Sequence, residues 1–88
     1  MKYYYKGKLV KTSKRDTYRY GLYDPSIDRI MSYSATQQGA LKLKAYEVSF
    51  FAKEVEWGRK HNDEFLEENE VDLKRWSEMY VVELEREV

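Results

Sequence analysis

The segment Ser34 to Gly58, SATQQGALKLKAYEVSFFAKEVEWG, reads as the one long helix of the chain and decides how the rest folds around it. Ser34 and Gln37 have the spacing of a capping box, in which the serine side chain takes an orphan amide and the glutamine reaches back to the cap, so the helix is expected to start at Ser34. At about 100° per residue, Leu41, Ala45, Val48, Ala52 and Val55 fall on one narrow stripe, small enough to lie closely on a sheet. Leu43, Tyr46, Phe50 and Trp57 fall on the opposite side, with Phe51 flanking the first stripe. A helix apolar on two sides needs two coverings, and the expectation is a sheet on one side and a second helix on the other.

Working back from that helix, Lys2 to Ser13 carries two β-rich runs about Lys6-Gly7, a pair suited to a tight hairpin turn with glycine at positive φ. A two-residue turn there sets Tyr5 opposite Lys8, Tyr4 opposite Leu9 and Tyr3 opposite Val10. Ser13 to Asp16 reads as a polar turn into a third strand, Thr17 to Tyr23. Asp24-Pro25-Ser26 supplies turn chemistry, and Ile27 to Tyr33 gives a fourth strand. One face of the resulting sheet is expected to hold Tyr4, Leu9, Tyr18, Tyr20, Leu22 and Ile30 beneath the helix. The other is expected to carry Tyr3, Tyr5, Val10, Tyr23, Met31 and Tyr33 with Arg19 and Arg29.

Working forward, Gly58 is a natural helix stop and Asn62 or Asp63 a natural new cap. Phe65, Leu66, Leu73, Trp76, Tyr80 and Leu84 then make one apolar stripe at helical spacing, which predicts a second amphipathic helix over 62–88. Its stripe is expected to meet the Tyr46, Phe50 and Trp57 side of the first helix. The predicted fold class is α+β: a four-stranded antiparallel meander in the order 1-2-3-4 over residues 1–33, packed against a two-helix hairpin of 34–58 and 62–88. One domain of 88 residues accounts for the sequence.

Composition narrows the function. Hydrophobic residues make up 42% of the chain, enough for a core, and nine tyrosines suit both half-buried strands and contact surfaces. Cysteine is absent, which fits a reducing compartment, and no apolar run has signal-peptide or membrane-spanning length, so the expectation is a cytoplasmic protein without membrane contact. The formal net charge of zero hides a polarised chain: residues 1–52 carry ten Lys and Arg against four Asp and Glu, whereas residues 53–88 carry six against twelve. The two halves can neutralise each other or present opposite faces to different partners.

The residues do not assemble a recognisable active centre. The single His61, without cysteine, cannot form the usual zinc set, and the predicted turn around it offers no pocket for a general base. The isolated glycines form no phosphate-binding loop, and the aspartates lack calcium-loop spacing. The expectation is therefore a non-enzymatic protein with no cofactor and no metal.

Two surfaces stand out for binding. Glu54, Glu56, Asp63, Glu64, Glu67, Glu68, Glu70 and Asp72 put eight carboxylates within nineteen residues, a local negative field able to compete with nucleic acid for a basic groove in another protein. The alternative is the outer sheet face, where Tyr3, Tyr5, Tyr23 and Tyr33 interleave with Lys8, Arg19 and Arg29 in the manner of single-strand-binding sheets. An acidic half weakens the attraction of such a face to phosphate, which leaves the acidic helices as the leading surface, with Tyr23 and Tyr33 as aromatic anchors. A homodimer covering the residual apolar surface is a third arrangement.

The run YKGKLVKTSKRDTYRYGLY (5–23), followed by RIMSYSATQQGALK (29–42), resembles small proteins encoded by phages and mobile elements of Gram-positive bacteria. In these a K-G hairpin, a KTS strand, a tyrosine-rich strand and an S-A-T helix start recur. The resemblance covers about the first half of the chain and its motifs are structural. It implies a protein that binds and disables host machinery such as a bacterial defence nuclease, as anti-CRISPR proteins do.

Overall fold

The computed structural model describes residues 1–87 and is α+β, with six strands in two three-stranded antiparallel sheets and two helices. The elements run β1 (Lys2–Tyr5), β2 (Lys8–Thr12), β3 (Tyr20–Asp24), β4 (Arg29–Ser34), α1 (Gln37–His61), α2 (Leu66–Glu78), β5 (Tyr80–Glu83) and β6 (Glu85–Glu87). One sheet has the order β2-β1-β6 and the other β4-β3-β5.

The predicted meander is therefore replaced by two separate hairpins, each completed by a strand from the far side of the helices. The first hairpin turns at Lys6 (φ 52°) and Gly7 (φ 77°), the positive pair that a tight turn matched to strand twist requires. Its register holds Tyr5 opposite Lys8 and Tyr4 opposite Leu9, but a bulge between Tyr3 and Tyr4 moves Tyr3 opposite Lys11 instead of Val10. Residues 13–19 are loop, so β3 starts at Tyr20 and never pairs with β2.

Residues 79–87 abandon the predicted helix, and with them Tyr80 and Leu84 leave its stripe. Met79 is extended (φ −67°, ψ 147°) and buried, and Val81-Val82 alternate as β-branched residues do when they have a sheet edge to complete. β5 pairs with β3 and β6 with β1, and the buried Leu84 between them is the single residue at which the chain passes from one sheet to the other. The Leu84 amide donates to the Arg19 carbonyl at 2.8 Å, and the Arg19 amide donates to the Ser34 carbonyl at 3.0 Å, which stitches the junction. Val88, the last residue of the predicted second helix, lies outside the described residues.

Part of the face expected to point outward lies in the interior instead, while Leu22 is buried and Tyr18 and Ile30 are half-buried, as expected of the inward face. Tyr3, Val82 and Leu84 form the buried cluster, and Tyr5, Val10, Tyr23 and Tyr33 pack against it. Leu9, placed under the helix by the flat-sheet reading, is 48% exposed. Tyrosine rings run through the interior in edge and tilted contacts, with Tyr3 to Tyr18 at 5.4 Å and Tyr18 to Tyr33 at 5.8 Å between centroids.

The helices differ from expectation in start, stop and facing. Thr36, not Ser34, is the N-cap, its side chain accepting from the Gly39 amide at 3.0 Å, while Ser34 closes β4. Gly58 does not end α1. The helix continues to His61 and stops at Asn62, which adopts the left-handed conformation (φ 55°, ψ 45°) and bonds back to Gly58. Gly58 is buried because α2 crosses there: a Cβ on it would stand 3.2 Å from Leu66 Cδ1. α2 starts from Phe65 without a side-chain cap.

The face of α1 that is covered holds Ala40, Val55 and Gly58, with Phe51 half-buried. Both stripes read from the sequence are left largely open: Leu41 and Ala45 of one, and Tyr46, Phe50 and Trp57 of the other, are exposed. The cause is reach. A 25-residue helix is roughly 37 Å long, far longer than the strands that could cover it. The helical hairpin stands out as an arm, and the molecule measures 52 × 22 × 19 Å.

A buried ion pair ties the arm to the sheets. Asp24, at the end of β3 and fully buried, accepts from Arg75 Nε of α2 at 2.5 Å, from Ser26 N at 2.9 Å and from Ser26 Oγ at 2.6 Å. Burial pushes the Asp24 carboxyl up, and the bonds from Ser26 and Arg75 outweigh it and hold the carboxyl below its ordinary range.

Candidate functional site

β2 and β4 are the outer strands of their sheets, on the side away from β5 and β6. Between them opens a cleft of about 510 Å³, within the range of ligand-binding clefts. β1 and its turn contribute Tyr5 and Lys6, β2 contributes Lys8, and the β3–β4 hairpin contributes Tyr23, Arg29 and Tyr33. Asp28, in the β3–β4 turn with φ 52°, also lines it.

The rings in this cleft are fixed. Tyr33 spans it, its hydroxyl donating to the Val10 carbonyl at 2.8 Å, and burial pushes its phenol above the ordinary value against the opposing pull of Arg29. The Tyr23 hydroxyl donates to Asp28 Oδ1 at 2.6 Å, and chiefly through that bond its pKa is pushed up to about 12. Tyr5 lies 5.4 Å from Tyr23, and Tyr23 lies 5.3 Å from Tyr80, centroid to centroid. Cations stand over the rings: Lys6 Nζ is 5.4 Å from the centre of Tyr5 and Lys11 Nζ is 4.8 Å from that of Tyr33.

Of the sheet-face residues read from the sequence, Tyr5, Lys8, Tyr23, Arg29 and Tyr33 come together here and two do not. Tyr3 is buried in the core, its hydroxyl donating to the Arg15 carbonyl at 2.6 Å. Arg19 turns into its own loop, donating to the carbonyls of Asp16 and Tyr18. Lys6 and Asp28 were hidden in the sequence as turn residues. Their positive φ values, which put them at the tips of the two hairpins, are what bring them to the cleft.

The second surface is the helical arm. Tyr46 is 68% exposed, Phe50 47% and Trp57 53%, and at helical spacing these three rings share one side of α1. Trp57 stacks on His61 with centroids 4.5 Å apart, so the lone histidine belongs to this aromatic run. Leu41, Phe65 and Val71 are exposed as well.

The predicted carboxylates gather toward the end of the arm, around the turn between α1 and α2. Glu56 pairs with Lys60 at 3.2 Å and Glu70 with Arg59 at 3.8 Å, both across solvent, where such pairs contribute little. Glu54 and Asp63 are half-buried, and Glu64 is exposed. Glu67 and Glu68 border a shallow depression floored by Val71. Among the described residues no three His, Asp or Glu side chains converge on a point that could hold a metal ion, and no helix is long and apolar enough to cross a membrane.

Compared with family models, with curated proteins and with solved structures, the chain gives no match.

Proposed function

We propose that this chain is a non-enzymatic protein-interaction module that docks its helical arm onto a partner protein. The observation that carries the reading is the open aromatic stripe of Tyr46, Phe50 and Trp57 on a projecting helix. Tyrosine and tryptophan are the anchors that dominate interface energetics when a partner desolvates them. Surface area supports the same reading. A compact chain of 10.7 kDa exposes about 5,500 Å², whereas this one exposes 6386 Å². The excess, roughly 900 Å², is close to the share that each partner buries in a standard interface.

Charge indicates the kind of partner. The carboxylates beside the stripe favour an apolar groove rimmed by lysine and arginine, such as the nucleic-acid groove of a bacterial defence protein. Inhibition by occupancy is also the role implied by the resemblance of 5–23 and 29–42 to small phage proteins.

The test compares wild type with Tyr46→Ser/Phe50→Ser/Trp57→Ser as baits in lysate of a Gram-positive host. The expected result is a nucleic-acid-handling protein retained by wild type and lost by the triple variant, whose melting temperature stays within a few degrees because the three rings are exposed. Retention of the same protein by both baits, or of none by wild type, overturns the reading.

A further inference from the structure

The cleft between β2 and β4 does not take part in that docking, and it has its own chemistry. We infer that it is a binding site for single-stranded nucleic acid, with Tyr5 and Tyr23 as the stacking platform and Lys6, Lys8 and Arg29 as the phosphate contacts. Recognition of single strands without strict sequence preference needs two things together: aromatic faces for bases and a line of cations for the backbone. The cleft supplies both within one open space of about 510 Å³.

The acidic half of the chain does not oppose this. Glu54 sits seventeen residues into α1, roughly 25 Å along the helix, and the carboxylates from Glu56 to Asp72 lie at or beyond that level on the α1–α2 turn and the first half of α2, leaving Glu47 and Glu78 as the arm carboxylates nearer the sheets. Salt screens charges beyond about 8–10 Å, so the field of the Glu54–Asp72 cluster has decayed before it reaches the cleft. Asp24 is neutralised by Arg75. Glu83, Glu85 and Glu87 lie on β5 and β6, at the sheet edges opposite β4 and β2. A local positive potential therefore survives in a molecule of zero net charge.

Among the described residues, Asp28 is the one carboxylate that lines the cleft. Its Oδ1 is held by the Tyr23 hydroxyl, which leaves the other oxygen to accept from a base amino group or a sugar hydroxyl. A duplex keeps its bases stacked on each other and offers no free ring face to Tyr5. The site thus discriminates by strandedness.

Fluorescence anisotropy of a labelled 12-nucleotide oligothymidylate, titrated with the full chain, tests the inference. With three phosphate contacts the single-strand relation gives a salt slope near −2, so the Kd is expected to rise about 20-fold between 50 and 200 mM salt. Lys8→Gln/Arg29→Gln, both at exposed positions, should cut that slope to about −0.7 without moving the thermal melt. Tyr5→Leu should weaken binding at least fivefold and Tyr5→Phe should restore it, since only the ring face is used. The same strand in a duplex should bind at least tenfold more weakly. Absence of single-strand binding at 50 mM salt, equal binding of the duplex, or an unchanged slope in the Lys8/Arg29 variant overturns the assignment. So does equal displacement by a poly-glutamate peptide, which would instead mark the edges of β2 and β4 as acceptors of an acidic strand.

Discussion

Replacing Arg75 by Met leaves the arm its apolar stem but takes away the cation facing Asp24. Asp24 is fully inaccessible and receives three hydrogen bonds, of which Ser26 supplies two and Arg75 the one that carries charge. Removing one partner of a buried ion pair costs about 3–5 kcal/mol, because the other charge stays desolvated. Here the Arg75 side chain is 32% exposed and Ser26 remains, so the lower end applies, about 3 kcal/mol. For a domain of this size each kcal/mol lowers the Tm by about 4–8 °C, which gives a drop of about 12–24 °C. Scanning calorimetry of wild type, Arg75→Met, Asp24→Asn and the double variant measures both the loss and the coupling. The double variant is expected to be more stable than Arg75→Met alone, since no buried charge is left in it. An Arg75→Met melt within about 3 °C of wild type, or additive single effects, would refute the claim that this pair fixes the arm on the sheets.

Further outcomes follow from single contacts. Because the folded Asp24 carboxyl is held below the unfolded value of 3.8, its contribution is present above that pH and is lost as pH falls through the folded value, so Asp24→Asn should flatten an acid titration of stability below pH 4. A Cβ at Gly21 would stand 2.7 Å from Ile30 Cγ2, so Gly21→Ala overpacks the β3–β4 hairpin and should cost about 1–3 kcal/mol in urea unfolding. Thr36→Ala removes the acceptor of the Gly39 amide and should cost about 1 kcal/mol by the same assay. Ultraviolet difference titration should find one tyrosine ionising near 12, and Asp28→Ala should move it toward 10 by removing the acceptor of the Tyr23 hydroxyl.

Local chemistry was legible in this chain where a few adjacent residues decide it. Lys6-Gly7 specified the first hairpin and two of its cross-strand pairs, and Asp24-Pro25-Ser26 marked the second. The long helix was legible too, although its ends were not: Thr36 competes with Ser34 as a cap two residues away, and Asn62 takes the stop from Gly58 because only the α1–α2 crossing requires that glycine's missing side chain.

Residues 79–87 were misread for a different reason. Trp76, Tyr80 and Leu84 keep a four-residue spacing while Val82 and Leu84 keep a two-residue one, and no glycine or proline separates the two patterns. What decides between them is the free edges of β1 and β3, more than fifty residues upstream, which the spacing does not record. The facing of Tyr3, Tyr5, Tyr23 and Tyr33 changed with it, whereas Tyr18 packs inward as its assigned face required. The cleft was read as a face for the same reason: five of its residues were named, but the gap that groups them exists only because the outer edges of β2 and β4 lack partners among the described residues.

The passage through Leu84 also orders events in time. Until Tyr80–Glu87 has left the ribosome, the β1–β2 and β3–β4 segments lack the two strands, joined at Leu84, that complete their sheets and link them. Closure is therefore a late, long-range step, and until it happens the tyrosine-rich interior and the unpaired flanks of β1 and β3 are open to any other strand in the cell.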